Sequence, residues 1–541
     1  MRSIAQHLRP RYNSPTMPKV LVTDPIAQEG VDYLRREAEV DVRLKPSPEE
    51  LLTMIGAYDG LIVRSETKVT RAVIEAGKQL QVIGRAGSGV DNIDLDAATE
   101  RGVLVVNAPQ GNTISAAEHA IGLMFALARN LTGAYASLRA GKWERQRFLG
   151  TELRGKTLGL LGLGQVGSEV ARRARGLDMR VLACDPFLPP ERFQGLGVEP
   201  VSFEELLGES DFISLHMRLT PNTRDMLSAE QFAQMKPGVR IINTARGELI
   251  DENALIAAID EGRVAGAAID VFREEPPGET PLLTHDRILV TPHLGAATEE
   301  AQERAALDVA EQVLAVLRGE PARYAVNAPL VSPETMVVLR PFMDVAERTA
   351  ALATQLADGQ MRSVEIEYLG DLADYDVTPL KAAVIKGLLA PISEENVTIV
   401  NANLIAEHRG LRITERKGPS AEYANLLTVT VNTDAGHTHV AATVFHDGTH
   451  IERINDYWVD IPPGDPFLLL CENMDRPGMI GAVGTFLGDH KININLMRVS
   501  PPAAEGGPAL MVVGLRSSVP PDVLRQLESI PDLHSARLVT I

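Results

Sequence analysis

The sequence has few cysteines, few aromatic residues and no long apolar run. Cys184 and Cys471 are its only cysteines and form no C-x-x-C pair, so neither a disulfide framework nor a metal site is predicted, and a reducing cytoplasm fits. Aromatic residues make up 4% of the 541 residues, and the dominant aliphatic residues suit α/β layers better than an all-β sandwich. The longest clean apolar run, residues 120–128, is too short to span a bilayer.

Positive charge is also scarce. The chain has 53 Lys and Arg against 72 Asp and Glu, a formal net charge of −19, which argues against nucleic acid or an anionic membrane as a bulk partner. An anionic substrate must therefore be held by local clusters of arginine. Residues 1–16 contain arginines but no apolar segment, so they do not form a secretory signal. We interpret residues 1–18 as an N-terminal extension, either a disordered arm or the product of an upstream start codon.

A glycine fingerprint lies between two apolar runs in residues 156–185. Gly162, Gly164 and Gly167 have the G-x-G-x-x-G spacing, which allows a tight turn, a close approach to a pyrophosphate and close packing of helix on strand. The N-terminus of the helix that follows would face the anion. Asp185 ends the second run, where a carboxylate can bind both ribose hydroxyls and would repel a 2′-phosphate. The region therefore predicts binding of NAD rather than NADP.

Strands and helices alternate through the first 326 residues. This pattern predicts two parallel, doubly wound sheets whose ligands lie beyond the carboxyl ends of the strands. Arg64 and Ser65 follow one predicted strand, residues 61–63, and Arg85 lies in a predicted glycine-rich turn, residues 84–91. Each arginine alone could be a solvated loop charge, but two at neighbouring strand ends favour an anion site.

Two helices are predicted to connect these sheets. Ser115 and Glu118 have the spacing of a capping box at the start of helix 115–129, which is long enough to cross between two domains. Helix 299–317 would carry the chain back, making the first domain discontinuous. We therefore expect two domains, a substrate-binding one of residues 19–110 and 298–326 and an NAD-binding one of residues 111–297.

The remaining sequence lacks glycine fingerprints. Residues 327–462 are predicted to form an α+β domain. Its antiparallel strands are predicted at residues 427–432, 440–445 and 450–457. Residues 467–541 alternate strand, helix, strand, strand, helix, strand, which is a ferredoxin-like order.

Three strand ends of the NAD-binding domain carry the groups that hydride transfer from a secondary alcohol needs. Arg246, Glu275 and His293 each follow a different predicted strand. An imidazole can take the hydroxyl proton, a carboxylate can hold its other ring nitrogen, and a guanidinium can grip a substrate carboxylate. A structural histidine and an exposed acidic loop are the alternatives for the single residues, but together the three favour catalysis.

Several motifs resemble those of the D-isomer-specific 2-hydroxyacid dehydrogenase family, from Lys19 to the C-terminus. They include VRSETKVT at 63–70, GRAGSGVDNID at 84–94, NTARGELIDE at 243–252 and TPHLGA at 291–296. The resemblance is to the long members of the family, in which residues 327–462 would be an intervening domain and residues 467–541 a regulatory ACT domain. It implies NAD-dependent oxidation of 3-phospho-D-glycerate to 3-phosphohydroxypyruvate, the first step of phosphorylated serine biosynthesis.

The resemblance also implies roles for single residues. Arg246, Glu275 and His293 match the catalytic residues. Residues in or near the crevice match positions that contact the cofactor: Ser88, Gly162, Gly164, Gln165, Val166, Gly167, Asp185, Met217, Thr244, Ala245, Asp270, His293, Gly295 and Ala296.

Substrate contacts and assembly are implied in the same way. Arg64, Ser65 and Arg85 match contacts to the substrate phosphate and carboxylate. Arg145 matches a residue that is offered across a dimer interface, although an exposed helix charge is the alternative. The resemblance further implies a homo-oligomer, a dimer through the NAD-binding domain or a tetramer through the C-terminal domain.

An effector site is implied for the last domain. Asn473, Asp475 and Asn493 match positions that bind serine at the seam between two ACT domains. Asn473 stands where the related proteins carry histidine or tyrosine. Feedback inhibition by serine and a purely assembling domain therefore remain alternatives.

Two other functions are alternatives to phosphoglycerate oxidation. A dehydrogenase for glyoxylate, hydroxypyruvate or another 2-hydroxy acid shares the catalytic residues, but the phosphate-binding arginines and the ACT-like tail count against it. A dinucleotide-sensing corepressor shares the fold, but its disordered tails contrast with the folded module expected here.

Overall fold

The computed structural model describes residues 17–329, 331–420, 422–462, 464–500 and 508–540, which form four β-sheets. The predicted N-terminal arm, residues 1–16, lies outside the described residues. None of the helices described in these ranges is both long and apolar enough to cross a membrane.

The first sheet is parallel, and helices follow its strands. Its strands are β1 (Lys19–Val22), β2 (Glu39–Val42), β3 (Gly60–Val63), β4 (Val82–Arg85) and β5 (Leu104–Asn107). Its helices are α1 (Gln28–Leu34), α2 (Pro48–Met54), α3 (Arg71–Ala76) and α4 (Leu95–Glu100). The strand order β2-β1-β3-β4-β5 reverses direction between β1 and β3, where doubly wound sheets open a crevice. The predicted turn that contains Arg85 is wrong in one respect, because Arg85 pairs with Asn107 as the last residue of β4.

The second sheet is also parallel and has seven strands. They are β6 (Thr157–Leu161), β7 (Arg180–Cys184), β8 (Glu199–Pro200), β9 (Phe212–Leu215), β10 (Val239–Asn243), β11 (Val264–Ile269) and β12 (Ile288–Val290). The associated helices are α5 (Thr113–Ala128), α6 (Leu131–Arg139), α7 (Gln165–Arg175), α8 (Pro190–Leu196), α9 (Phe203–Glu209), α10 (Ala229–Gln234) and α11 (Glu252–Asp260). The order β12-β11-β10-β9-β6-β7-β8 places the crevice between β6 and β9.

Helix α5 begins two residues earlier than predicted. Ser115 is buried inside the helix, and Asn112 occupies the N-cap without a side-chain hydrogen bond. The hydroxyl oxygen of Ser115 lies 2.7 Å from that of Thr298, the N-cap residue of helix α12 (Glu299–Leu317). The predicted capping box of Ser115 and Glu118 is therefore wrong, because a tertiary contact uses the serine hydroxyl.

Helix α12 returns the chain to the first sheet. It lies so close to β4 that a Cβ at Gly84 would come within 2.5 Å of the Val309 side chain. Beyond the helix, the side-chain oxygen of Asn327 accepts a hydrogen bond of 2.8 Å from the Val105 amide. Residues that precede the second sheet in the sequence and residues that follow it thus pack together in the first sheet's unit.

The third sheet is mixed. Its strands are β13 (Met361–Gly370), β14 (Arg412–Gly418), β15 (Asn425–Thr433), β16 (His437–Phe445), β17 (Gly448–Ile454) and β18 (Tyr457–Ile461). The helices α13 (Pro333–Leu356), α14 (Thr378–Leu389) and α15 (Ala402–His408) belong to this region. Only β13 and β14 pair in parallel in the order β14-β13-β15-β16-β17-β18. The single strand predicted at 450–457 is wrong, because the chain turns at Asn455, whose φ is +49°, and forms β17 and β18.

The fourth sheet has the predicted ferredoxin-like order. Its strands are β19 (Phe467–Met474), β20 (Ile494–Ser500), β21 (Pro508–Leu515) and β22 (Leu533–Thr540), with helices α16 (Met479–Asp489) and α17 (Pro521–Leu527). They are antiparallel in the order β20-β21-β19-β22. The predicted fold class, two doubly wound α/β units followed by an α+β unit and a ferredoxin-like unit, is confirmed, while the exact domain boundaries stay predictions.

Candidate active site

The glycine fingerprint has the local geometry that its spacing predicts. Gly162 follows β6 with a φ of +94°, and a Cβ there would lie 2.7 Å from the carbonyl oxygen of His216. A Cβ at Gly167 would collide with the carbonyl oxygen of Gly162, so glycine permits α7 to pack closely. A Cβ at Gly164, the N-cap of α7, would meet no atom of the described residues within 4 Å. Open space therefore adjoins the N-terminus of this helix, where a pyrophosphate can bind.

Asp185 lies beside the fingerprint, directly after β7. Its Oδ2 accepts a hydrogen bond of 2.9 Å from the Leu163 amide, and its Oδ1 accepts one of 3.1 Å from the Phe187 amide. These bonds hold the carboxylate at the edge of the crevice, at the place expected for a ribose. Gln165, the first residue of α7, accepts a hydrogen bond of 3.1 Å from the Thr113 hydroxyl. This bond links α7 to α5.

The other predicted cofactor residues follow neighbouring strands of the same sheet. The hydroxyl oxygen of Thr244, just after β10, is buried and has no hydrogen-bond partner among the described residues. A ligand that offers a donor or an acceptor at this point would satisfy the hydroxyl. Ala245 and Met217 also follow strand ends, and Val166 lies in the first turn of α7. Because parallel strands end at one edge of a sheet, this set fits a dinucleotide lying across that edge.

His293 and Glu275 form a hydrogen-bonded pair. His293 Nδ1 lies 2.7 Å from Glu275 Oε2, and Glu275 Oε1 accepts a hydrogen bond of 3.1 Å from the Phe272 amide. Burial raises the pKa of Glu275, but the hydrogen bond and the charge of His293 outweigh it, so this pKa lies below its usual range. The His293 side chain is 45% exposed, which leaves Nε2 as the nitrogen that can exchange a proton with a ligand.

Asp270 holds the loop that carries His293. Its carboxylate is completely buried and accepts hydrogen bonds of 2.6 Å from the Thr291 hydroxyl and 2.9 Å from the Gly295 amide. It also contacts His119 Nε2 at 3.1 Å. Burial raises the pKa of Asp270, but these bonds outweigh it and place the pKa below its usual range. In this structure Asp270 acts on the position of His293, and its direct contact with a cofactor stays a prediction.

Backbone strain marks the same loop. His293 has a φ of +53°, in the left-handed region that side chains other than glycine rarely adopt. The amide of His293 donates a hydrogen bond of 2.9 Å to the carbonyl oxygen of Asp270, which fixes this conformation. Strained residues of this kind concentrate at functional sites. His119 was missed by sequence reasoning because its contact with Asp270 spans 151 residues.

Arg246 reaches across the crevice to the first sheet. Its Nη1 donates a hydrogen bond of 2.7 Å to the carbonyl oxygen of Ala245, and its Nη2 lies 3.3 Å from Asp91 Oδ2. A Cβ at Gly89 would collide with the same guanidinium. The glycine-rich segment after β4, which includes Ser88, therefore faces the end of β10.

Two further arginines adjoin Arg246. Arg85 Nε donates a hydrogen bond of 3.2 Å to the carbonyl oxygen of Arg64. Burial, followed by the positive charges of Arg246 and Arg64, lowers the pKa of Arg85 to about 10. A Cβ at Gly87, whose φ is +154°, would collide with the Arg85 guanidinium, so glycine makes room for it. Cations from both sheets are thus concentrated in one crevice.

Asp24 positions the loop of Arg64 and Ser65, and sequence reasoning missed it. The carboxylate is completely buried after β1. Its Oδ2 accepts hydrogen bonds of 2.6 Å from the Arg64 amide, 3.2 Å from the Glu66 amide and 3.1 Å from the Thr67 amide. A carboxylate at the end of the first parallel strand was the available signal, because all these strand ends meet at one edge.

Arg145 lies elsewhere on the surface. It begins the exposed 3-10 turn Arg145–Phe148, after α6. Its neighbours Trp143 and Leu149 are 78% and 81% exposed. The cationic cluster of the crevice is therefore built from Arg64, Arg85 and Arg246.

The predicted effector residues are not gathered within one chain. Asn473 on β19 pairs with Ala509, whereas Ile494, next to Asn493, pairs with Leu515 at the other end of β21. Six residues of strand separate the two positions by about 20 Å. Asp475 follows β19, on the side of Asn473. Asn473 is buried, and its Oδ1 has no hydrogen-bond partner among the described residues.

Family models match three parts of the chain. Residues 121–295 match the D-isomer specific 2-hydroxyacid dehydrogenase, NAD binding domain. Residues 338–454 match the D-3-phosphoglycerate dehydrogenase intervening domain, and residues 467–532 match the ACT domain.

Curated relatives match nearly the whole length. The chain is 47% identical over 510 residues to D-3-phosphoglycerate dehydrogenase 2, chloroplastic, from Arabidopsis thaliana, covering 90% of this chain and 81% of that protein. It is 43% identical over 526 residues to D-3-phosphoglycerate dehydrogenase from Methanocaldococcus jannaschii, covering 97% of this chain and 100% of that protein. Among solved structures, D-lactate dehydrogenase from Aquifex aeolicus complexed with NAD and lactic acid matches with a TM-score of 0.52 and 27% identity, over 58% of this chain and 100% of that one.

Proposed function

Because the chain belongs to the D-3-phosphoglycerate dehydrogenase family and is an NAD-dependent oxidoreductase, we propose that it oxidises 3-phospho-D-glycerate to 3-phosphohydroxypyruvate. This reaction opens the phosphorylated route to L-serine. One observation supports the proposal most strongly: the His293–Glu275 pair lies in the same crevice as a cluster of arginines from two sheets.

The catalytic pair is arranged for proton transfer. His293 takes the proton of the C2 hydroxyl on Nε2, because Glu275 occupies Nδ1 at 2.7 Å. The Glu275 carboxylate then stabilises the imidazolium that forms. Bound NAD supplies the hydride acceptor. In the reverse direction His293 returns the proton to the C2 oxygen.

The arginine cluster accounts for the choice of a phosphorylated acid. Arg246 binds the carboxylate and polarises the C2 oxygen, while Arg64 and Arg85 bind the phosphate end. The pKa of Arg85, about 10, keeps it charged at neutral pH although the neighbouring cations oppose that charge. A substrate with both a phosphate and a carboxylate removes this repulsion, which is how a chain with a net charge of −19 can bind a strongly anionic molecule.

Substrate comparison tests the proposal. We expect NADH formation with 3-phospho-D-glycerate to exceed that with D-lactate or D-glycerate. Arg64→Ala should mainly raise KM for the phosphorylated acid, whereas His293→Ala should mainly lower kcat. Activity confined to the unphosphorylated acids would contradict the assignment and favour another 2-hydroxy acid.

We also infer that the protein is a homo-oligomer with an effector site between two copies of the fourth sheet. The separation of about 20 Å between Asn473 and Asn493 supports a site completed by a second chain. The unpartnered Asn473 Oδ1 is suited to an ammonium donor, as in L-serine. The exposed Trp143 and Leu149 beside Arg145 support a further interface.

Initial rates with and without millimolar L-serine test the effector, and sedimentation tests assembly. Inhibition by L-serine would support the effector site, whereas a flat response from an oligomer would leave only the assembly role. The two unpaired cysteines, Cys184 and Cys471, support a reducing, cytoplasmic location.

A further inference from the structure

A second cluster of ionisable side chains lies far from the crevice in sequence, on β17 and β18. His450 and Glu452 are buried, with 9% and 5% of their surface exposed, and Asp460 is exposed beside them. A ring nitrogen of His450 and one carboxylate oxygen from each acid all lie within 4.8 Å of one another. We propose that His450, Glu452 and Asp460 bind a divalent transition-metal cation of the Zn²⁺ type.

An unsatisfied buried carboxylate oxygen is the first support for this site. Glu452 Oε2 accepts a hydrogen bond of 2.7 Å from the Tyr423 hydroxyl. Glu452 Oε1 is buried and has no hydrogen-bond partner among the described residues. A buried carboxylate oxygen without a partner is strongly unfavourable unless a cation or a donor meets it. A metal ion bound to Oε1 removes this cost.

The backbone is distorted where the three side chains meet. On one side of β17, Ala442 pairs with Ile451 and Ala441 with Arg453, so Glu452 occupies a β-bulge. The pairing of β17 with β18 is also irregular at this point. Asp460 has a φ of +44° although it is not a glycine. Bulges and strained residues redirect side chains at functional sites, and here they bring residues of two strands to one point.

One distance in the cluster fits a pair of metal ligands. His450 Nδ1 lies 3.4 Å from Asp460 Oδ1, which is longer than a normal hydrogen bond between N–H and O. Two ligands on a tetrahedral ion with bonds of about 2.0–2.1 Å are separated by about 3.3–3.4 Å. The nitrogen and the oxygen thus already have the spacing of two tetrahedral ligands.

The surrounding charges also favour a dication. His450 Nε2 lies 3.0 Å from Asp447 Oδ1, the carboxylate contact that metal-bound histidines commonly make with their second nitrogen. Arg498 Nη2 lies 3.1 Å from Asp460 Oδ2. The carboxylates of Asp447, Glu452 and Asp460 outnumber the one guanidinium that pairs with them, that of Arg498, and this excess of carboxylates favours a dication.

A bound ion would stabilise the junction of the third and fourth sheets. β18 is the edge strand of the third sheet, and Arg498 lies on β20 of the fourth. An ion bound by residues of β17 and by Asp460 would hold β18 in place. Because Arg498 contacts Asp460, the ion would also stabilise the contact of β18 with β20. The sequence predicts no metal site, because the ligands follow no familiar spacing and the geometry depends on the bulge.

Metal titration of the full-length, tag-free protein tests the site. After removal of metals with a chelator, Zn²⁺ binding is measured by calorimetry and Co²⁺ binding by its visible absorption. Wild type should bind one equivalent of metal. Glu452→Gln should bind none, or should bind it at least about tenfold more weakly. The amide keeps the shape of Glu452 and can still accept from Tyr423, and thermal denaturation checks that the variant is folded.

Two control variants make the result specific. Asp456→Asn changes a carboxylate that is 87% exposed in the turn between β17 and β18. This variant should still bind one equivalent of metal. Glu275→Gln disrupts a histidine–carboxylate pair at the active site and should also still bind one equivalent of metal. Identical binding by wild type and Glu452→Gln, or no binding by wild type at micromolar metal, would overturn the proposal. These binding readouts do not depend on dehydrogenase activity.

Discussion

Replacing Asp24 with asparagine should weaken substrate binding without touching the catalytic pair. Asp24 does not reach the crevice, but its carboxylate accepts hydrogen bonds from the backbone amides of Arg64, Glu66 and Thr67. These bonds set the position of the loop that carries Arg64 and Ser65. Asparagine has nearly the same shape but only one oxygen and no charge, so it cannot hold all of these donors equally well.

The magnitude follows from the bonds that change. A hydrogen bond to a charged group contributes about 1.5–3 kcal/mol, and Asp24 is completely buried, so water cannot replace it. A loss of about 2 kcal/mol in the ordering of this loop corresponds to a rise of about 30-fold in KM for 3-phospho-D-glycerate. The KM for NAD should change little, because the fingerprint and Asp185 lie in the other sheet.

Steady-state kinetics with each substrate varied in turn measures this effect. Asp96→Asn, an exposed carboxylate on α4, is the matched control and should leave both KM values unchanged. Urea unfolding confirms that both variants are folded at the assay temperature. An equal rise in both KM values, or an unchanged KM for 3-phospho-D-glycerate in a folded Asp24→Asn protein, would refute the role assigned to this carboxylate.

Three further substitutions have defined outcomes. Glu275→Gln should lower kcat by about 10²–10⁴ with a smaller change in KM, because it removes the charge that stabilises protonated His293, and steady-state rates measure this. Asp185→Ala should reduce kcat/KM for NAD by about 10–100-fold and narrow the preference over NADP, measured by assays with each cofactor. The pKa of Asp270 lies below its usual range, so its contribution to folding stability is complete above about pH 4 and is lost as the pH falls through the lowered value. Asp270→Asn should therefore flatten the decline of the unfolding free energy below about pH 4, measured by urea titration, and an unchanged decline would contradict this.

The sequence predicts the parts of this molecule that depend on local patterns. Alternating apolar runs predict both parallel sheets, and the spacing of Gly162, Gly164 and Gly167 predicts a turn whose glycines have the expected conformation and clearance. Strand ends predict where Arg246 and His293 lie, because parallel strands deliver their carboxyl ends to one edge.

The sequence is less informative where distant residues decide the outcome. Ser115 resembles an N-cap, but its hydroxyl contacts Thr298, 183 residues away. Asp24 lies at a strand end, which indicates its position but not the amides that it binds, and His119 has no local pattern that indicates its contact with Asp270. The separation of Asn473 from Asn493 depends on the order in which strands pair, which one-dimensional patterns do not contain.

Binding of the substrate phosphate by Arg64 and Arg85 is the proposal on which the choice of a phosphorylated 2-hydroxy acid depends. It is tested most directly by the ratio of kcat/KM for 3-phospho-D-glycerate to that for D-glycerate, measured with NAD for wild type and Arg64→Gln. The ratio should be large in wild type and should fall by about 10–100-fold in the variant, because a charge-assisted contact to the phosphate is lost. A wild-type ratio below one, or a large ratio that Arg64→Gln leaves unchanged, would contradict it.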